Sequence, residues 1–157
     1  MSANYIMAFA FGIGVVAGLR ALTGPAVVSW AAHLGWLNLN GSPLAFMAST
    51  WTAILFLLLA IFELIGDLLP RTPKRTAPVP LGARILLGGL CGACLCASWN
   101  QSLTTGAVLG AVGGLVGAFG GYETRKRLAT SLMIKDIFIA LTEDLIAIGL
   151  AFFFVAR

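Results

Sequence analysis

Four long apolar stretches dominate this sequence, and each is long enough to cross a lipid bilayer. They cover residues 49–69, 81–99, 104–121 and 136–155. A helix needs about 20 apolar residues to cross a hydrocarbon core of roughly 30 Å. Charged residues make up 10% of the 157 residues, whereas a soluble domain carries about 25%. The chain therefore cannot cover a water-exposed surface, and we expect an all-α, multi-pass membrane protein.

The N-terminal stretch 5–36 is also apolar, but it is too long for one upright span. As a single helix it would extend about 48 Å at roughly 1.5 Å per residue. Proline lacks an amide donor and disfavours helix at the residue before it. We therefore expect a spanning piece, 5–22, and a shorter piece, 25–36, that re-enters or lies at the interface, which gives about five spans in total. The predicted helix break comprises Thr23, Gly24 and Pro25.

The basic residues are concentrated in two links, 70–80 and 122–135, whereas the links 37–48 and 100–103 carry no charge. Because positively charged links stay in the cytoplasm, we predict that both basic links are cytoplasmic, in a bacterial inner membrane. Five spans place the N-terminus inside and Arg157 outside; a sixth crossing by residues 25–36 places both ends outside. The basic residues of these links are Arg71, Lys74, Arg75, Arg125, Lys126, Arg127 and Lys135, and Arg84 flanks the first link.

Besides Asp136 at the start of the last span, four acidic residues lie inside the predicted spans, where a charge is costly. Glu63 and Asp67 are four residues apart and share one helix face, and Glu143 and Asp144 are adjacent in the last span. An unpaired charge at the bilayer centre costs ~2.5–3.5 kcal/mol or more, so such residues usually face the interior and carry function. We expect Glu63 and Glu143 to face one cavity and to hold a proton or a cation. In the alternative, structural role, each acid is paired with a basic residue: Arg20, Arg84 or Lys135.

Arg20 is a further charge in an apolar segment, and it precedes the predicted break. A helix that restarts at Pro25 would direct free amide groups and its positive end at the break. With Arg20 beside them, these groups predict an anion site, or a clamp on Glu63 or Glu143. The alternative is an arginine that snorkels to the interface. The candidate substrate- or ion-binding residues are thus Arg20, Glu63, Asp67, Glu143 and Asp144.

Glycines recur every fourth residue in three places, a pattern that allows helices to approach closely. This spacing predicts packing within the bundle or at a dimer face, and we expect a homo-oligomer, with a dimer favoured. The rows are Gly106, Gly110 and Gly114, then Gly113, Gly117 and Gly121, and finally Gly14 and Gly18.

Cys91, Cys94 and Cys96 have a spacing similar to that of metal or redox motifs, but they lie inside an apolar span. Without a fourth cysteine or a nearby histidine they predict buried small side chains rather than a ligand set. The sequence also lacks the common nucleotide-binding and catalytic motifs. We therefore do not expect an enzyme, a cofactor, a metal site or a nucleic-acid partner.

Two parts of the single membrane domain 1–157 resemble each other, namely 5–69 and 104–157. Each has a glycine-rich span, an irregular segment and a span with acids. The odd span 81–99 between them would give the two parts opposite topology, and inverted repeats of this kind are typical of transporters. The alternative is a chance similarity between segments rich in small and apolar residues.

Three segments together resemble a bacterial membrane family, the domain of unknown function 4126. They are 18–25 (Gly-Leu-Arg-Ala-Leu-Thr-Gly-Pro), 63–70 (Glu-Leu-Ile-Gly-Asp-Leu-Leu-Pro) and the Glu-Asp pair 143–144. In the family pattern a lysine often follows the aspartate, and Leu68 takes that position here. The resemblance covers most of the chain and implies no activity. It does imply that Arg20, Glu63, Asp67 and Pro70 form one constellation.

These features favour a small transporter or channel for an ion or small solute, coupled to protons or cations through the carboxylates in the membrane. The alternative is a non-catalytic structural or assembly subunit of a membrane complex. In that role the carboxylates pair internally or with the partner.

Overall fold

The structure, a computed structural model, describes residues 2–69, 77–132 and 136–156. All regular elements in these ranges are helices: α1 Ala3–Leu19, α2 Thr23–His33, a 3₁₀-helix Ala45–Ala48, α3 Thr50–Asp67, α4 Pro78–Ser98, α5 Leu103–Leu132 and α6 Asp136–Val155. Helices α3 to α6 are long and apolar enough to cross a membrane, and α1 is a shorter apolar helix. The predicted all-α membrane fold with a broken N-terminal helix is therefore confirmed. The link residues Pro70, Arg71, Lys74, Arg75 and Lys135, and the terminal Arg157, lie outside the described residues.

Helices α1, α4 and α5 form the most closely packed part of the bundle because glycines face one another across their contacts. A Cβ atom added to Gly14 of α1 would collide with the carbonyl oxygen of Gly110 in α5. A Cβ added to Gly88 of α4 would lie 2.6 Å from the same oxygen. Gly110 is thus enclosed by two neighbouring helices. The glycine rows serve packing within the bundle, which is one of the two predicted uses.

Replacing Gly110 with leucine is expected to lower the free energy of unfolding by about 1–3 kcal/mol or more, because the neighbouring backbones must separate. Gly149→Leu is the matched control, since a Cβ at Gly149 meets no atom within 4 Å. Thermal unfolding in detergent measures both variants. An unchanged Tm for Gly110→Leu would contradict this packing.

The contacts also give the directions of the helices. Gly14 lies opposite Gly110 and Gly18 opposite Gly114, so α1 and α5 are parallel. An inverted repeat requires these two helices, which begin the two similar parts of the chain, to be antiparallel. The inverted relation therefore does not hold for this pair, and the repeat itself stays a prediction.

Helix α6 runs antiparallel to α1. The ring centroids of Phe9 and Phe154 lie 5.6 Å apart near one end of this helix pair. Arg20, directly after α1, is paired with Asp144 towards the other end. The first residues of α1 and the last residues of α6 consequently share one end of the bundle. This arrangement matches the predicted alternative in which residues 25–36 run back across the bundle after the break. The side of the membrane on which either end lies stays a prediction.

Helix α2 is the short returning segment. It has 11 residues, or about 16 Å at roughly 1.5 Å per residue, which is too short for a full span. It ends at His33, whose Nδ1 lies 3.2 Å from the carbonyl oxygen of Ala48, just before α3 begins. Nearly all of α2 is buried, and Val28 packs with Leu95 and Ala147 in the main core. Protein therefore covers the break, as backbone at membrane depth requires.

Helix α5 is longer than the sequence predicts. The apolar stretch ends at Gly121, yet the helix continues to Leu132, so most of the predicted link 122–135 is helical. No proline interrupts this part of the chain, and Arg127 forms an exposed ion pair with Glu123 one turn away, at 3.0 Å. Such pairs stabilise a helix after its apolar part has ended. At 30 residues, or about 45 Å, α5 exceeds the thickness of the hydrocarbon core.

The cysteines of α4 are buried. Cys91 and Cys94 belong to the main core, and Cys96 packs with Ile6 and Ala10 in a second, smaller cluster. All three are free thiols. They occupy the positions expected of small hydrophobic side chains.

Candidate functional site: a charged cluster at a helix break

The break between α1 and α2 lies slightly earlier than the sequence predicts. The backbone leaves the α-helix at Arg20, which is extended with φ −137° and ψ 109°, and α2 begins at Thr23. Thr23, Gly24 and Pro25 therefore form the first turn of α2 and not the break itself. Proline is tolerated there because the first amide groups of a helix have no partner within it.

Arg20 occupies the centre of the break and is 1% exposed. Its Nη1 donates a hydrogen bond to Asp67 of α3, and its Nη2 forms an ion pair with Asp144 of α6. A planar guanidinium suits two carboxylates because its donors form a rigid fork. Arg20 is thus a buried clamp and does not snorkel to the interface. One side chain connects the broken helix to α3 and α6.

Glu63 lies one helical turn before Asp67 and reaches the same break. Its Oε1 accepts a hydrogen bond from the amide of Ala21, and its Oε2 accepts one from the amide of Leu22, both at 2.9 Å. The carboxylate therefore lies at the positive end of α2, where a negative charge is stabilised. The anion site that the sequence predicts at this position is occupied by a carboxylate of the protein.

Arg84 closes the other side of the break. It is 5% exposed, and its Nη1 donates hydrogen bonds to the carbonyl oxygens of Gly18 and Leu19 at 2.6 and 2.8 Å. A cation is stabilised at the C-terminal end of a helix such as α1. Its Nη2 lies 3.7 Å from Oε1 of Glu63. We call Arg20, Glu63, Asp67, Arg84 and Asp144 the charged cluster.

Arg84 was expected to flank the basic link 70–80 and to pair with the acids only in their alternative, structural role, so the predicted candidate site did not include it. The correction follows from its position, because Arg84 lies inside α4 and is buried by α1. The signal was present in the sequence. A charge one turn inside an apolar helix is as costly as the four acids that were selected on that ground.

Glu143, the remaining candidate acid, lines a cleft of about 530 Å³ between α1, α5 and α6. Successive residues of a helix point about 100° apart, so Glu143 and its neighbour Asp144 face different surroundings. The structure brings Asp67 and Asp144 together at Arg20, whereas a shared cavity for Glu63 and Glu143 stays a prediction. Glu63 is not among the residues that line this cleft.

A comparison with family models matches residues 7–156 to a domain of unknown function, DUF4126. The chain belongs to the DUF4126 family. The match includes every helix except the first turn of α1, and it confirms the resemblance drawn from the segments around Arg20, Glu63 and Asp144. Neither a curated protein nor a solved structure matches the chain.

In this DUF4126 protein, α3 and α6 are the helices that the cluster attaches to the rest. The buried residues of α3 are Ala53 and Ala60, and its main contacts are with α2 and the 3₁₀-helix. Helix α6 packs mainly on α1 and α2 and touches α5 less. Asp67 and Asp144 bring both helices to Arg20. The charged cluster therefore determines the position of α3 and α6 relative to α1, α4 and α5, the helices that pack through glycines.

Replacing Glu63 with alanine is expected to destabilise the protein by about 1–2 kcal/mol, because the helix cap and its contact with Arg84 are lost. Glu63→Gln should cost less, since the amide oxygen still accepts one of the two backbone hydrogen bonds. Unfolding in detergent measures both, with Glu123→Gln on the exposed part of α5 as the control. Equal stability of Glu63→Ala and the control would contradict the capping role.

Proposed function

We propose that this DUF4126 protein is a small membrane transporter in which the charged cluster controls a solute site in the α5–α6 cleft. The observation that carries the proposal is the division of roles between two adjacent residues of α6. Asp144 is paired with buried Arg20, whereas Glu143 lines the cleft. A change at the cluster is therefore transmitted to the cleft by the rigid helix that carries both acids.

The division of the bundle into a rigid and a more loosely held part supports this proposal. Backbone contacts at glycines fix α1, α4 and α5 together. Helix α6 touches α5 less closely, and the cleft lies between these two helices. A shift of α6 against α5 changes the width of the cleft without opening the glycine contacts. Transporters work by such movement of one part against another around a site near a broken helix.

Protons are the coupling ion that the cluster favours. Asp67 and Asp144 share one guanidinium, and carboxylates in a membrane interior commonly serve as proton carriers. Protonation of Asp144 removes its charge and weakens its hold on Arg20. Helix α6 is then released from the break, and α3 stays attached through Asp67. Proton binding and the width of the cleft are coupled in this way.

A structural or assembly subunit is the second candidate. It is favoured by the pairing of Glu63, Asp67 and Asp144 with Arg20, Arg84 or backbone amides, as expected for acids with a structural role. In this case the cluster would hold the helices together and the protein would move no solute.

Liposomes that contain the purified protein and a pH-sensitive dye distinguish the two functions. Sugars, amino acids, organic acids and inorganic cations are added one at a time, and the internal pH is followed. We expect at least one compound to change the internal pH faster than in protein-free liposomes. If no compound does so with protein shown to be folded, the transport proposal fails and the assembly role is preferred.

A further inference from the structure

Helix α5 consists of two parts of different character. The first part, from Leu103 to Gly121, carries no charge. It rises about 27 Å at roughly 1.5 Å per residue, which matches a hydrocarbon core of about 30 Å. The second part continues the same helix to Leu132, and we call residues 122–132 the α5 extension. The extension therefore lies in the layer of lipid head groups and in the water beyond it.

The basic run 125–127 lies at a defined depth in this extension. Tyr122, the first residue of the extension, is of a type enriched at the membrane–water interface because its ring is apolar and its hydroxyl is polar. The run begins three residues later, about 6–9 Å beyond Gly121 at roughly 1.5 Å per residue. Each head-group layer of a bilayer is roughly 5–8 Å thick. Long basic side chains at this position reach the depth of the lipid phosphates.

Two of the three basic side chains are accessible from outside the bundle. Lys126 is exposed, and the side chain of Arg127 is 77% exposed although it pairs with Glu123. Arg125 is half-buried and already interacts within the protein, so the accessible basic surface consists of Lys126 and Arg127. The exposed residues 128–131 carry no charge. Glu123 offsets at most one of the two accessible positive charges, and this surface stays positive.

The opposite end of the bundle has a different surface. Helix α5 begins there, directly after the end of α4, and the segments 34–49 and 99–103 contain neither acidic residues nor Lys or Arg. The exposed aromatic side chains at this end are uncharged: Trp36, Trp51 and Trp99. Uncharged side chains of this kind anchor a protein at the interface without selecting lipids by charge. The accessible charge that distinguishes lipid head groups is therefore that of the α5 extension.

We propose that Lys126 and Arg127 bind the phosphate of an anionic membrane lipid. Basic residues next to a membrane attract anionic lipids, whereas a zwitterionic head group brings a cation that the same two side chains repel. A soluble phosphate has the same chemistry, but the bilayer already concentrates phosphates at the depth of the basic run. Because α5 belongs to the glycine-packed helices, the bound lipid holds this part of the bundle at a fixed depth. Lipid binding of this kind does not depend on transport.

Competition between two lipids that differ only in the head group tests the proposal. The protein in detergent is mixed with equal amounts of dioleoylphosphatidylglycerol and dioleoylphosphatidylcholine, and the retained lipids are counted by native mass spectrometry. We expect phosphatidylglycerol to be retained in excess. Lys126→Gln combined with Arg127→Gln should lower the ratio of the two lipids about tenfold, since each basic residue near a membrane surface contributes about a fivefold preference and Glu123 offsets part of the charge of Arg127.

A charge-conserving variant is the matched control. Lys126→Arg combined with Arg127→Lys keeps both positive charges and should keep the lipid ratio of the unchanged protein. Equal Tm values in detergent verify that the variants are folded, as expected for exposed side chains. If the double glutamine variant does not fold, Lys126→Gln alone should still lower the ratio about fivefold.

Three results would overturn the proposal. Equal retention of both lipids by the unchanged protein would show that it does not select anionic lipids. A ratio that the folded glutamine variants leave unchanged would place the anionic lipid at other basic residues. Complete displacement of phosphatidylglycerol by millimolar glycerol 3-phosphate would identify a site for a soluble phosphate and not for a lipid.

Discussion

Arg20→Gln is expected to lower the free energy of unfolding by about 3–5 kcal/mol, because removing one partner of a buried ion pair leaves the other charge uncompensated. Arg20 is 1% exposed and Asp144 is 6% exposed, so water cannot replace the lost cation at Asp144. The variant also loses the hydrogen bond to Asp67. Glutamine keeps a polar side chain, but it is neutral and cannot hold Asp67 of α3 and Asp144 of α6 at the break by charge.

Thermal or denaturant unfolding in detergent measures this loss, and a double variant identifies its cause. Arg20→Gln combined with Asp144→Asn should recover part of the stability, because the stranded charge is removed. Arg127→Gln is the control, since its exposed pair with Glu123 is worth about 0–1 kcal/mol. If Arg20→Gln is no less stable than this control, Arg20 does not hold the helices together.

The residues of the break could be selected from the sequence for a simple reason. A charge inside an apolar segment is costly, so Arg20, Glu63, Asp67 and Asp144 stand out without any knowledge of the fold. The four-residue spacing of Glu63 and Asp67 also predicted that both reach the same place. The glycine before Pro25 indicated where the helix is interrupted, to within a few residues.

The pairing of these residues could not be predicted, because it depends on how the helices are rotated against one another. Glycine contacts between α1, α4 and α5 fix that arrangement, and such contacts join residues far apart in the chain. They place Arg84 under the carbonyl groups of α1. The rotation of α6 about its own axis places Asp144 at Arg20 and Glu143 in the cleft.

The residue at which each helix ends could not be predicted from the sequence either. Hydropathy indicates the residue at which a helix leaves the lipid. A helix can continue beyond that residue, so hydropathy does not indicate where the helix ends. Helix α5 therefore continues through Arg125 and Arg127 to Leu132. The cleft could not be predicted without this extension, because Thr124, Arg125 and Leu128 of its wall lie beyond the predicted end at Gly121.

Asp144→Asn is expected to abolish proton-coupled transport while the protein stays folded. Asparagine has the same size and keeps an oxygen that accepts a hydrogen bond from Arg20. It is neutral, like the protonated aspartate, and cannot bind and release a proton, so α6 cannot alternate between a form held to Arg20 by charge and a released form. Because no charge is stranded, the loss of stability should be much smaller than in Arg20→Gln. Asp144→Asn should therefore abolish transport with a small loss of stability, whereas Arg20→Gln should lower the stability strongly.

The rate of pH change in liposomes, driven by the compound that is active with the unchanged protein, tests the central claim most directly. It is compared for the unchanged protein, for Asp144→Asn and for the control Glu123→Gln, at equal amounts of folded protein. The account predicts that the control retains the rate of the unchanged protein and that Asp144→Asn falls to the rate of protein-free liposomes. A folded Asp144→Asn protein that transports at the unchanged rate would contradict it, since the charged cluster would then be structural and not coupled to the cleft.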